Sequence, residues 1–201
     1  MRFTCVPCPQ STSRPEGVTQ YHLQRAQYSR HKHHHGFKAH ALIVPCGIAA
    51  HYHGPVDGRR HDVHLLRVSG IFDRMHELRD NNVDYAIYAD SAYVHVMTPN
   101  LVAPIPRALV QPGADEAYLN EEMSMVRTCA SEWWYQVVTN TFQTLDFTRW
   151  QRMWLTLPPL QYFACMLLLN CHTCMNGGNM ISDFFKSDPP TLDRYLQGHF
   201  N

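Results

Sequence analysis

Three acidic residues are spaced so that they could share a metal ion. Asp90 stands at the carboxyl end of the β-prone run 85–89, and Glu132 follows 42 residues later inside a helical pattern. Asp62 stands at the start of an apolar pattern with a helical repeat. Hard Mg²⁺ or Mn²⁺ prefers oxygen ligands, and carboxylates that converge from different elements can hold two such ions for phosphodiester cleavage. Metal-dependent phosphodiester chemistry is therefore one interpretation of these acids.

Each acid also has an ordinary structural interpretation. An aspartate at the start of a helix often caps it, and an aspartate after a strand often forms a turn. A glutamate on a helix is most often solvated. The three acids by themselves therefore leave both interpretations open.

The elements that would position Asp62 are a hairpin and a helix. Residues 37–44 and 48–53 are apolar or alternating runs around Pro45-Cys46-Gly47, which predicts two antiparallel strands. Residues 54–62 are predicted to form a loop, with a helix starting at Asp62.

Helices dominate the second half of the chain. After a long loop at 98–112, the apolar spacing from Leu119 to Leu145 predicts the longest helix, with Asp115 as its cap. Pro158-Pro159 opens an apolar helix that ends at Asn176-Gly177-Gly178, and one short helix is expected in the tail. Strands followed by helices predict a mixed sheet flanked by helices.

Composition limits the classes of function. A chain of 201 residues fits one domain, here residues 25–201 after an irregular segment 1–24. Seventeen basic residues balance seventeen acidic ones, so DNA contact must be local or supplied by a separate DNA-binding partner protein. The local candidate is Arg59-Arg60-His61, for which a solvated loop is an equal alternative.

Cysteine usage and hydropathy favour a reducing compartment and no membrane partner. Seven cysteines lie at irregular spacing with no signal peptide ahead of them, which is typical of free thiols. The longest apolar run, 163–169, is far shorter than the ~20 residues that span a bilayer. We expect the Cys-x-x-Cys pairs at 5–8 and 171–174 to be structural thiols, with the second pair buried.

Histidines are a second candidate metal set. His31-Lys32-His33-His34-His35 lies near His40, and alternating His51 and His53 could converge with it across the hairpin. Since no spacing in this set matches a familiar zinc motif, a solvated histidine-rich loop is the preferred interpretation.

Short motifs around the acids resemble a known family. In order along the chain they are His31-Lys32, His35-Gly-Phe-Lys38, Gly54-Pro-Val-Asp-Gly-Arg-Arg-His-Asp62, Ser69-Gly-Ile71, Tyr88-Ala-Asp-Ser-Ala-Tyr93, Asn120-Glu-Glu-Met-Ser-Met-Val-Arg127, Ser131-Glu-Trp133, Phe184-Phe185 and Pro189-Pro-Thr-Leu192. Over residues 25–196 the chain closely resembles the DDE-superfamily endonuclease domain of Harbinger-type transposases.

The resemblance implies a fold, a site and a partner. It implies an RNase H-like α/β fold, a mixed central sheet with flanking helices, acting on DNA in the nucleus or in the cytoplasm. Asp62, Asp90 and Glu132 match the positions that bind a divalent cation, Mg²⁺ or Mn²⁺, and would be the catalytic set, with a metal-activated water as nucleophile. Arg127 would meet phosphate, and Tyr93 and Trp133 would pack around the acids.

One departure from the family pattern concerns the first acid. The family carries Asp-Gly-Thr upstream of an Arg-Pro pair, whereas Gln10-Ser-Thr-Ser13 precedes Arg14-Pro15 here, and residues 1–24 contain one acid, Glu16. Loss of that ligand should weaken cation binding and strand cleavage. The N-terminal strand region is therefore interpreted as degenerate or truncated. Two hypotheses follow: a metal-dependent endonuclease, or a non-catalytic DNA- or protein-binding module on the same fold.

Overall fold

The structure, a computed structural model, describes residues 25, 28–29, 34–35, 37–77, 86–89, 91–96, 100–106, 115–145 and 158–198. In these ranges the strands are β1 (Tyr28–Ser29), β2 (His34–His35), β3 (Phe37–Ile43), β4 (Ala49–Asp57), β5 (Ile87–Tyr88) and β6 (Leu101–Val102). The helices are α1 (Asp62–Val68), α2 (Ile71–Glu77), α3 (Asp115–Thr141), α4 (Pro158–Met175), α5 (Met180–Phe185) and α6 (Leu192–Leu196). Two 3-10 turns lie at Ser91–Tyr93 and Gln143–Leu145.

The β3–β4 hairpin is the central element of the described part. The two strands pair antiparallel, as the sequence predicted. The Gly47 amide donates to the Val44 carbonyl at 2.9 Å and the Val44 amide donates to the Ile48 carbonyl at 3.0 Å, which closes the turn. Gly47 has a φ of +82° and its Cα faces the Asn179 amide, so a side chain there would collide with Asn179.

Strand β4 is longer than predicted, and a bulge explains why. Residues 54–57 were expected in a loop, but pairing continues to Phe37 opposite Asp57. The register shifts by one residue between the Lys38–Val56 and His40–His53 pairs. Gly54 and Pro55 fall in this shift. Proline is tolerated at a bulge because it has no amide hydrogen to place in the ladder. The glycine-proline pair therefore bends the strand and does not end it.

One face of the hairpin packs against the C-terminal helices. Ala41 and Ile43 belong to a buried cluster with residues from α3, α4 and α5, and Ala49 and Tyr52 pack against it. The helical members of the cluster include Val138, Tyr162, Cys165, Met166, Leu169 and Ile181. Burial of this apolar surface is the main source of stability on this side.

The opposite face packs against α1 and α2. Leu42 lies against a second buried cluster that contains Leu66, Ile71 and Met75 from these two helices. The apolar pattern with a helical repeat that begins after Asp62, with positions at residues 63, 65, 66, 68 and 71, is divided between two helices. The division falls at Gly70, which has a φ of +68° that favours glycine.

A short parallel pair completes this second cluster. Strands β5 and β6 pair parallel, with Ile87 opposite Leu101, and both side chains are buried with Tyr93. Strand β6 lies inside the segment 98–112 that was predicted to be a loop. The Asn120 side chain then joins this region to α3, since it accepts from the Ile105 amide at 2.8 Å and donates to the Ile105 carbonyl at 3.0 Å.

The remaining helices mostly follow the sequence prediction. Helices α3 and α4 cover the predicted ranges, although α3 ends at Thr141 and a 3-10 turn follows. The tail holds two short helices in place of the one expected. Asn179 begins α5 by accepting from the amides of Ile181 and Ser182 at 2.9 Å and 3.2 Å.

The described strands form three two-stranded sheets, β1–β2, β3–β4 and β5–β6, with helices on both faces of the hairpin. Two of these strands, β1 and β2, lie within residues 1–35, where a composition rich in Pro, Ser, Gln and His with little periodicity predicted irregular structure. The result is a mixed α/β arrangement with small sheets. Among the described residues, the helices are all too short or too polar to cross a membrane.

Candidate functional site

Asp62 lies at the start of α1 without capping it. His61 is the N-cap residue, and its backbone is extended, with no side-chain capping bond. Helix α1 contacts both strands of the hairpin, which brings Asp62 close to the beginning of β3. The capping interpretation is therefore wrong for Asp62.

Lys38 holds the Asp62 carboxylate. The Lys38 Nζ donates to Asp62 Oδ1 at 2.9 Å and to the Arg60 carbonyl at 2.8 Å. The Lys38 side chain is 14% exposed and that of Asp62 is 35% exposed. Asp62 thus presents a fixed, partly shielded carboxylate whose chemistry suits a hard divalent cation.

Basic residues and Asp57 line a depression at the turn that precedes Asp62. The turn between β4 and α1 is closed by the Arg60 amide, which donates to the Asp57 carbonyl at 3.0 Å. It shapes a surface depression of ≈ 450 Å³ lined by Asp57, Arg59, Arg60, His61 and His64. Two guanidinium groups at an open depression suit an anionic oxygen such as that of a phosphate.

Asp90 lies outside the described residues, but the elements on either side of it are described. The Ala89 amide donates to the Val102 carbonyl at 2.8 Å, which extends the parallel pair to the residue before Asp90. The 3-10 turn at Ser91–Tyr93 follows and contacts α1. Tyr93 is buried in the same cluster as Leu66 of α1, and its predicted packing around the acids stays a prediction. The chain on both sides of residue 90 therefore packs near the helix that carries Asp62.

Glu132 lies in α3, and its side chain, like that of Trp133, is outside the described part. Arg127 is partly buried on the same helix and donates from Nη2 to Ser124 Oγ at 3.4 Å. Among the described side chains, no group of three or more His, Cys, Asp or Glu is arranged to hold a metal ion. The convergence of Asp62, Asp90 and Glu132 remains a prediction.

The strand histidines are not a solvated loop. His40 is 1% exposed and pairs directly with His53 across the hairpin, while His51 lies on the same face opposite Leu42. Burial, followed by the charges of His53, His51 and Lys38, lowers the pKa of His40 to about 3. Burial followed by His53 and Arg74 also lowers the pKa of His51. Both faces of this hairpin are covered by helices, so the side chains on either face are shielded from solvent. The histidines therefore lie in a covered strand face and not in a solvated loop.

The described cysteines are free thiols. Cys174 is buried, and desolvation raises its pKa, so its thiol is the less reactive neutral form. Cys171 is half-buried, which makes the expectation of a buried pair correct for Cys174 and only partly correct for Cys171. Cys5 and Cys8 lie outside the described residues.

Lys38 had no role assigned from the sequence. A partial signal was present, because a lysine inside an apolar strand pattern needs a partner for its charge. Its partner, Asp62, is 24 residues away, at the start of the helix that follows the hairpin. Such a long-range pair is visible only when the strand register is known.

The described elements form a mixed α/β domain, consistent with a nuclease fold, with a carboxylate held at the start of a helix beside a basic depression. The family model for the DDE superfamily endonuclease matches residues 8–170, about four fifths of the chain. The chain therefore belongs to the DDE superfamily endonucleases. No curated protein and no solved structure matched the chain. The match covers residues on both sides of the predicted boundary between residues 24 and 25 and does not test it. That boundary stays a prediction.

Proposed function

We propose that the chain is a Harbinger-type, transposase-derived endonuclease domain that cleaves DNA with a divalent cation, Mg²⁺ or Mn²⁺. Asp62, Asp90 and Glu132 are the proposed cation ligands. The proposed architecture is RNase H-like, a mixed sheet flanked by helices, with the acids gathered at one edge. The superfamily match over residues 8–170 is the observation that supports this proposal most.

The environment of Asp62 also supports the proposal. Its carboxylate does not cap α1 and instead bonds to a lysine through Oδ1. It adjoins a depression that carries Arg59 and Arg60. A carboxylate beside paired guanidinium groups suits a site where a phosphodiester must approach an acid that would otherwise repel it.

Different residues of the chain would bind the cation and the phosphate. Asp62, Asp90 and Glu132 would hold the cation, and Arg59, Arg60 and Arg127 would bind and orient phosphate. When bound, the cation supplies Lewis-acid assistance to phosphodiester cleavage. Since the chain has no net charge, a separate DNA-binding protein is proposed to contribute to DNA affinity.

A non-catalytic binding module is the second candidate. The sequence before Arg14-Pro15 lacks the Asp-Gly-Thr motif of the family, which removes one expected ligand. The basic depression would still bind a nucleic-acid backbone without that ligand. The two candidates differ in cleavage: the endonuclease must bind and cut DNA, whereas the module would bind DNA or protein without cutting.

Cleavage assays test the proposal. Nicking of supercoiled plasmid in MnCl₂ or MgCl₂ should fall to the EDTA background in Asp62→Asn, Asp90→Asn and Glu132→Gln. Asp73→Asn is the matched control, because Asp73 is an exposed acid on the adjacent helix α2. Equal cleavage by Asp62→Asn and the parent chain would overturn the assignment. DNA binding without any nicking would favour the binding module.

The proposed cellular location is the nucleus, with the cytoplasm as the alternative. This follows from the resemblance to transposases, whose substrate is chromosomal DNA. Fluorescence imaging of the tagged chain in cells, with and without mild detergent extraction, would distinguish a chromatin-associated pool from a cytoplasmic one.

A further inference from the structure

Lys38 makes a contact that is unusual for a lysine in a strand. Its ammonium group, which has three donors, donates both to the Asp62 carboxylate at 2.9 Å and to the Arg60 carbonyl at 2.8 Å. The Lys38 side chain is more buried than that of its acidic partner. One cation therefore fixes both the basic turn and the acid that follows it.

The two strands of the hairpin approach each other closely at Lys38. Gly54 lies in the bulge with a φ of +139°, a conformation that is nearly restricted to glycine. A Cβ at Gly54 would lie 2.9 Å from the Lys38 carbonyl oxygen and 3.0 Å from the Ala39 Cα. The bulge thus lets β4 approach the Lys38 backbone closely, and bulges commonly re-aim a neighbouring side chain.

The partner acid carries charge that needs compensation. Asp62 is about two-thirds shielded from solvent, and an unpaired charge in such an environment is costly. Among the described residues, Lys38 is the cation that contacts Asp62. The Arg74–Glu77 pair has a similar distance, 3.0 Å, but both of its side chains are largely exposed, so its contribution is small.

We propose that Lys38 is a positioning residue and an internal counter-ion for Asp62. In the cation-free protein it neutralises the carboxylate and holds the Arg60–Asp62 turn. A divalent cation that binds Asp62 then competes with the Lys38 ammonium group for the same carboxylate. The carboxylate is already held in place, so the site does not have to refold. This inference rests on the proposed role of Asp62 as a cation ligand.

Thermal unfolding and Mn²⁺ binding test the proposal on the full chain. Lys38→Met keeps most of the aliphatic stem and removes the charge. In EDTA, Lys38→Met should unfold at a lower temperature than the parent chain because Asp62 is left uncompensated. Added MnCl₂ should raise the unfolding temperature of Lys38→Met more than that of the parent. Mn²⁺ affinity, measured by electron paramagnetic resonance of free Mn²⁺, should rise roughly three- to tenfold, since a nearby like charge is removed.

Two further variants make the result specific. The double variant Lys38→Met with Asp62→Asn should lose the extra Mn²⁺ response, because the acid that Lys38 balances is gone. Arg74→Met, which breaks the exposed ion pair, should leave the Mn²⁺ response at the parent level. An unchanged Mn²⁺ response in Lys38→Met, or an enhanced response that persists in the double variant, would overturn the inference.

The two proposals can fail separately. If Mn²⁺ binding depends on Asp62 and is enhanced in Lys38→Met while plasmid nicking is absent, the counter-ion role stands and the endonuclease proposal fails. If plasmid is nicked in an Asp62-dependent way while Lys38→Met binds Mn²⁺ as the parent does, the endonuclease proposal stands and the counter-ion role fails.

Discussion

The two faces of the β3–β4 hairpin are covered in different ways. The face toward α3, α4 and α5 presents Ala41, Ile43 and Tyr52 to an apolar cluster. The face toward α1 and α2 presents Lys38, His40, His51 and His53, with Leu42 as its apolar member. Strand alternation thus sorts side chains to an apolar side and a titratable side of the same two strands. The first stabilises the fold, and the second carries the groups that can respond to protons or cations.

Even the apolar side depends on one polar anchor. Asn170 of α4 is buried, accepts from the Ala49 amide at 2.9 Å and donates to the Ala49 carbonyl at 2.9 Å. The same side-chain amide donates to the Tyr195 hydroxyl at 2.9 Å. The side chain therefore satisfies the backbone of β4 where the register shifts near the turn.

Removal of this anchor should have the largest effect. Asn170→Ala leaves the partly buried amide and carbonyl of Ala49 without their partner, which should lower the free energy of unfolding by about 2–4 kcal/mol. Urea denaturation would measure the change. Asn176→Ala, at an exposed asparagine just after the same helix, should cost less than about 0.5 kcal/mol. Equal destabilisation of the two variants would show that the hairpin does not depend on Asn170.

The bulge on the titratable side should be the next most sensitive feature. Gly54→Ala places a methyl group against the Lys38 carbonyl and forces alanine into a glycine conformation. We expect the free energy of unfolding to fall by about 2–3 kcal/mol in urea denaturation. Gly70→Ala is the matched control, because Gly70 also has a positive φ but has no neighbour within 4 Å of an added Cβ. Its cost should be limited to about 1 kcal/mol of backbone strain.

Sequence patterns predicted the positions of the helices and strands better than they predicted the packing between them. Pro45-Cys46-Gly47 marks the hairpin turn clearly, and Asp62 marks the start of α1. The pattern could not show that pairing resumes beyond Gly54-Pro55, because both residues usually indicate a loop. It also could not show that His40 is buried, since a polar residue on a strand looks the same whether one face is covered or both.

The sequence pattern also did not show which residues of the long helix α3 are buried. Leu119 was expected on the buried face of α3 but is exposed, whereas Val138 is fully buried. Among the described side chains of α3, Val137 and Val138 pack in the cluster shared with α4 and α5, and apolar spacing does not reveal which turns have a partner. For the site, the sequence located Asp62 and the basic turn, while the Lys38 contact depended on strand register.

The histidine face should make stability depend on pH. The usual pKa of histidine is about 6.5 and the pKa of buried His40 is lowered to about 3, so the unfolded chain binds more protons between these values. Stability is therefore full above pH 6.5 and falls as the pH decreases through that window, with a slope of up to about 1.4 kcal/mol per pH unit. His51, whose pKa is also lowered, contributes in the same direction.

Urea denaturation at pH 7.5, 6.5 and 5.5 would measure this dependence. His40→Leu should have a shallower slope than the parent chain over this range, because its proton uptake on unfolding is removed. His76→Leu, which changes an exposed histidine of α2, should keep the parent slope. Parallel slopes for the parent and His40→Leu would mean that the acid sensitivity arises elsewhere.

The smallest stability effect, with a functional consequence, is expected in the basic turn. Arg59 and Arg60 are exposed, and the bond from Lys38 to Arg60 goes to the backbone carbonyl, which alanine retains. Arg59→Ala with Arg60→Ala should therefore change the free energy of unfolding by less than about 0.5 kcal/mol. If the depression binds a DNA backbone, DNA affinity should fall several-fold. The slope of log affinity against log salt should decrease by about 0.9 for each phosphate that the variant no longer neutralises.

Fluorescence anisotropy with a labelled duplex over a range of salt concentrations would measure both quantities. Arg194→Ala, on α6 among the C-terminal helices, is the control for removal of a surface charge. If both changes lower affinity and salt slope equally, DNA contact is diffuse and the titratable side of the hairpin has no special part in it. A decrease confined to the Arg59 and Arg60 variant would place backbone contact beside Asp62, because the turn that carries both arginines is held by the same lysine.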